Sequence, residues 1–154
     1  MLMWFWLPLL ILVSIAAGVL LIVWFRPPTV SDAAALDLFR KQRDSLEAQF
    51  FQLAANSDKP RGLCWTRCEW GSSIALARDK KTGQLLALVG VTISFEAIEG
   101  GDMEGLAAVG NLRNASAVFF FDGLCWSTAG RVVFNLNPDE AIRHFAGQYE
   151  PVAP

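Results

Sequence analysis

Four side chains of this 154-residue chain are natural candidates for nucleophilic chemistry: Cys64, Cys68, Cys125 and the single histidine, His144. A thiolate activated by an imidazole makes a nucleophile–base pair. No local motif surrounds His144, however, and Cys64-x-x-x-Cys68 departs from the Cys-x-x-Cys spacing of zinc knuckles and thioredoxin-like sites. The cysteines therefore read as reduced structural thiols. A single Cys64–Cys125 bridge is the alternative should the domain lie outside the cytoplasm. A second cluster, Glu96, Glu99, Asp102 and Glu104, places four carboxylates within nine residues. Such oxygens suit Ca²⁺ or Mg²⁺, but the spacing fails the EF-hand pattern and Gly100-Gly101 marks a turn, so solvated loop acids are expected.

The third group is aromatic: Trp65, Trp70, Phe119, Phe120, Phe121, Trp126 and Phe134. Three consecutive phenylalanines in a strand must point to both faces. Helices covering both faces would make them core. A concave sheet would instead make Phe119, Phe120, Phe121 and Trp126 a pocket or partner-binding face. No catalytic residue, metal ligand or cofactor site is expected.

The elements that carry these residues follow from periodicity. Residues 1–25, MLMWFWLPLLILVSIAAGVLLIVWF, contain no charged side chain. About 20 apolar residues suffice for a helix to cross the hydrocarbon of a bilayer, so residues 1–26 read as a transmembrane anchor. Trp4 and Trp6 at one end and Trp24 at the other suit the two headgroup interfaces, and Pro27-Pro28 stops the helix. A cleaved signal peptide is the competing reading, but the apolar run continues past Ser14-Ile15-Ala16 and no basic stretch precedes it. Arg26, Arg40, Lys41 and Arg43 all follow the anchor and none precedes it. The positive-inside rule then puts the N-terminus outside and the domain in the cytoplasm, at the cell membrane.

Residues 27–58 read as a juxtamembrane helix, capped by Ser31 or Asp32 and ended by Asn56-Ser57-Asp58-Lys59-Pro60. Its apolar stripe, Leu36, Phe39, Leu46, Phe50 and Leu53, is interrupted by Arg43. Such a stripe can lie on a sheet of its own domain, or it can pair two chains into a homodimer through residues 31–56; the short, interrupted pattern favours the sheet. Residues 59–148 then change period. Strands are expected over 63–70, 73–79, 84–96, 115–123 and 125–136, with turns at Lys80-Lys81-Thr82-Gly83 and Asp122-Gly123. On the third strand Leu85, Ala87, Val89, Val91, Ile93 and Phe95 share one face. The other face runs from Leu86 and Leu88 to Thr92, Ser94 and Glu96, as if covered only at its beginning. Residues 97–111 are a glycine-rich acidic loop with one helical turn at most. Asn137-Pro138-Asp139-Glu140 opens a last short helix with a capping box, and residues 149–154 are expected to be a frayed tail. Gly62-Leu63-Cys64-Trp65 recurs as Gly123-Leu124-Cys125-Trp126, which is either coincidence or two similar strand starts.

Helix, about five mostly antiparallel strands and a short helix make an α+β domain, similar in element order to a cystatin- or NTF2-like roll. Residues 60–147, including ARDKKTGQLLALVGVTISFEAIEGGDMEGLAAVGNLRNASAVFFFDG and GRVVFNLNPDEAIRHF, resemble small membrane-anchored proteins of planctomycete-type bacteria without assigned activity. That resemblance implies a bacterial cell membrane and transfers no site residue. Thirteen basic against fifteen acidic side chains disfavour nucleic acid as a partner. The expectation is a single-pass, non-enzymatic protein that binds or organises a protein partner at the lipid bilayer. An anchored ligand-binding or enzymatic domain with an aromatic-lined pocket is the alternative.

Overall fold

The computed structural model describes residues 30–57 and 62–153. The anchor residues 1–26, with Trp4, Trp6, Trp24 and Arg26, lie outside the described residues. Among the described residues no helix is long and apolar enough to cross a membrane. They form an α+β domain of two helices, α1 (Asp32–Ala55) and α2 (Pro138–His144), and five strands. The strands are β1 (Leu63–Asp79), β2 (Leu85–Ala97), β3 (Arg113–Phe121), β4 (Trp126–Phe134) and β5 (Tyr149–Val152). A 3₁₀ turn at Ala107–Gly110 supplies the one helical turn of the glycine-rich loop. The sheet is antiparallel and curled, in the order β4-β3-β2-β1-β5.

Period and polarity explain how the layers form. The Leu85-to-Phe95 face of β2 packs with Phe119, Phe121 and Trp126 under Ala35, Leu36, Phe39, Leu46 and Phe50 of α1. Burying one such aromatic is worth roughly 1.5–3 kcal/mol. On the opposite face Leu86, Leu88, Val118, Ala141, Ile142 and Tyr149 form a smaller core beneath α2. Glu96, farther along that face, is exposed. The polarity gradient of β2 thus records where the short α2 ends its cover.

The helix stripe serves this sheet. Ser31 caps α1, accepting from the Ala34 N–H, while Asp32 takes the Arg78 guanidinium on both carboxylate oxygens, at 2.7 and 2.9 Å. Arg43, which interrupts the stripe, reaches sideways to Glu47 and donates to the Gly71 carbonyl at 2.6 Å. Leu53 is left outside the buried set.

Two expectations are corrected. The segments 63–70 and 73–79 are one 17-residue strand, not two. Its partners step from Trp70↔Val91 to Ile74↔Val89, so Gly71-Ser72-Ser73 forms a bulge in place of a turn. A Cβ on Gly90 would lie 2.6 Å from the Ser73 hydroxyl, so glycine there lets the bulge close. The tail, in turn, is not frayed at residues 149–152. Tyr149–Val152 pairs with Leu76–Asp79 as β5, and the Tyr149 ring is 1% exposed in the second core, which holds the segment down.

Both hairpin turns lie at one end of the sheet. In each, an aspartate arranges the chain: Asp79 accepts the N–H groups of Lys81 and Thr82, and Asp122 those of Leu124 and Cys125. The α1 N-terminus reaches the same end, where Trp126 Nε1 donates to the Ala35 carbonyl at 2.7 Å. The loop 98–112 occupies the opposite end, beside Leu63 and Phe134.

Candidate functional site

The four aromatics singled out as a possible binding face are used as core. Phe119, Phe121 and Trp126 lie under α1, and Phe120 packs against the second core on the other side of the sheet. Phe39 holds Phe119 and Trp126 edge-on, with ring centroids 5.2 and 5.1 Å away. With a helix over each face, strand alternation buries Phe119, Phe121 and Trp126 and leaves Phe120 half-buried.

The cysteines and His144 are dispersed. All three thiols are free. Cys68 packs against the α1-side core, and burial pushes its thiol up to about 11. His144 ends α2 on the opposite face, its ring edge-on to Phe145, so the sheet separates it from Cys68. Cys125 sits in the β3–β4 turn, where its thiol donates to Asp122 Oδ2 at 3.2 Å. That hydrogen bond, then desolvation and the Asp122 charge, raises its pKa, so neither group favours the thiolate needed for catalysis. Cys64 pairs with Glu96 at the loop end of the sheet. From Glu96 back to Leu85 is eleven strand steps, roughly 36 Å at about 3.3 Å each. A disulfide requires Cα atoms within about 7 Å, so the alternative Cys64–Cys125 bridge is ruled out.

Among the described residues no group of three or more His, Cys, Asp or Glu side chains converges as a metal site. Of the acidic cluster, Glu104, exposed, accepts the Gly100 N–H at 2.7 Å within its own loop. The rest of the loop does something else. It folds over the strand ends to enclose a cleft of about 340 Å³ lined by Leu63, Phe95, Met103, Ala108, Val109, Arg113, Phe134 and Asn135. Its aromatic wall continues into the core, since Phe95 contacts Trp65 and Phe134 at centroid distances of 5.2 and 6.2 Å. Met103 seats on the start of β1, where a Cβ on Gly62 would come within 2.9 Å of its Cγ. Asn135 follows β4 with φ +61°, a conformation asparagine tolerates better than most residues, and its N–H donates to the Asn114 carbonyl.

Outside the cleft the same loop exposes Ile98, Leu106 and Leu112, at 46%, 51% and 59%. Half of the chain's exposed large apolar residues, among those described, thus sit in one short segment. Glu99 and Asp102 are exposed beside them, and the segment has no basic residue before Arg113. The loop end can therefore offer an apolar contact with an acidic margin. Sequence reasoning read this segment as a solvated loop; the signal available was the combination of Ile98, Leu106 and Leu112 with glycines and acids in one stretch. Comparison with protein-family models, curated proteins and solved structures finds no match.

Proposed function

We propose that this is a single-pass membrane protein whose α+β domain binds a protein partner through its loop end, without catalysing a reaction. Residues 1–26 serve as the anchor in this reading, and the charge bias after it places the domain in the cytoplasm. The helix-on-sheet arrangement fits the roll analogy drawn from element order. The observation that carries the binding assignment is the apolar loop end: Ile98, Leu106 and Leu112 are exposed on the same loop whose Met103, Ala108 and Val109 line the Phe95–Phe134 cleft. Scattered exposed apolar residues are ordinary, whereas several on one short loop that also walls a cleft support an interaction surface. The acids on the same loop select the partner's chemistry, an apolar segment flanked by lysine or arginine.

Photocrosslinking in the native host tests this. A benzophenone side chain at Leu106 or Leu112 is expected to trap a discrete partner carrying such a segment, and Glu99→Lys with Asp102→Lys to abolish the adduct. Absence of an adduct at both positions, or capture unaffected by the charge reversal, overturns the assignment. Topology is tested separately on intact cells: rapid modification of the exposed Cys64 by a membrane-impermeant maleimide would place the domain outside.

A further inference from the structure

We infer that the hairpin end of the domain, led by Leu124, rests on the lipid surface itself. The inference depends on the anchor reading of residues 1–26. Three observations at this end agree.

The described chain begins at Val30, next to the Ser31 cap of α1, so the uncharged segment 1–25 leads directly into this end of the domain. Three residues, 27–29, separate the proposed anchor 1–26 from Val30, too few for the two turns to lie far from a surface that the anchor crosses.

The tip of the β3–β4 turn carries Leu124, at 69% the most exposed large apolar residue among those described. Its counterpart in the repeated tetrapeptide is Leu63. There the loop end folds over the strand and Leu63 becomes part of a cleft wall. At the hairpin end Leu124 has no such covering loop, although Gly123 and Trp126 repeat the roles of Gly62 and Trp65, positive φ and burial respectively. An interfacial bilayer would supply that cover.

The charges are arranged to permit the approach. Three carboxylates at this end are engaged, Asp32 by Arg78, and Asp79 and Asp122 by backbone N–H groups of their own turns, while Glu150, opposite Arg78 on β5, is exposed. Lys80 and Lys81 are exposed in the neighbouring turn, Lys80 donating to the Ala146 carbonyl and Lys81 left to face an anionic headgroup layer.

Two native cysteines at opposite ends supply the test. The full chain is reconstituted in phosphatidylcholine–phosphatidylglycerol vesicles with a nitrobenzoxadiazole probe on Cys125 in a Cys64→Ser, Cys68→Ala background. A second sample carries it on Cys64 in a Cys68→Ala, Cys125→Ser background. Lipids with a shallow nitroxide are expected to quench the Cys125 probe several-fold more than the Cys64 probe, and Leu124→Asp to reduce that difference. Protein that resists carbonate extraction yet shows equal quenching at both positions overturns the docking and leaves the anchor standing. Protein extracted by carbonate overturns the anchor, and the docking with it.

Discussion

Gly130 shows how narrowly a single residue can set the spacing between layers. It has φ +70°, and a Cβ there would lie 2.7 Å from the Ala54 nitrogen and 2.9 Å from the Leu53 carbonyl carbon. The last turn of α1 therefore lies directly on the backbone of β4. Alanine must adopt a left-handed conformation and displace a helix terminus, so Gly130→Ala is expected to destabilise the domain by about 2–4 kcal/mol. Thermal unfolding by near-UV circular dichroism measures it, and a change within error would show that the helix end yields freely. At Cys125 the expected effect is on reactivity. Asp122→Asn removes the charge and weakens the acceptor that hold its thiol protonated. Alkylation of Cys125 by iodoacetamide at neutral pH should then rise several-fold, in a chain whose other thiols are replaced. An unchanged rate would mean that access, not ionisation, limits the reaction.

At the scale of elements, the two aspartate-built turns make a common prediction. Backbone N–H groups, those of Thr82 and Cys125 foremost, hold the carboxyls of Asp79 and Asp122 below their ordinary 3.8. The unfolded chain consequently binds more protons in acid, and this contribution to stability, complete above pH 3.8, is lost as pH falls through the lower native values. The melting temperature should fall over that range less steeply in Asp79→Asn, where the charge is absent; equal slopes would remove the turns from the account of acid unfolding.

Much at this scale was legible in the sequence. The alternation of β2, the Asn137–Glu140 capping box and the Asp122-Gly123 turn each announce a local preference that the fold keeps. The single strand β1 was less legible, because glycine and serine serve bulges and turns equally. The repeated Gly-Leu-Cys-Trp was legible only as a coincidence or a pair of strand starts. In three dimensions it supplies α1 with a tryptophan toward each end: Trp126 against Phe39 and Trp65 against Phe50. The strand Tyr149–Val152 escaped notice since its cause is an unpaired stretch of β1 seventy residues earlier. The loop cleft escaped for the same reason, as Leu63, Phe95 and Phe134 meet only once the sheet is assembled.

Taken whole, the molecule has a hairpin end and a loop end, and the helix between them depends on strands made long after it. The Trp126–Ala35 hydrogen bond spans 91 residues of chain, and the pairing of β1 with β5, Asp79 with Tyr149 and Leu76 with Val152, spans 70 to 76. Closing such long loops before contacts repay the lost entropy makes folding slow relative to helical bundles. Refolding from denaturant, followed by tryptophan fluorescence, should fall in the range of milliseconds to seconds typical of domains rich in non-local pairing. Microsecond recovery would indicate a local nucleus that the topology does not suggest. During synthesis, the order of the chain imposes a waiting period. Leu36, Phe39, Leu46 and Phe50 emerge as an apolar stripe well before Phe119 and Trp126 exist to cover them. In that interval the stripe lacks the surface that will cover it, and the nascent helix needs another apolar partner until β3 and β4 are made.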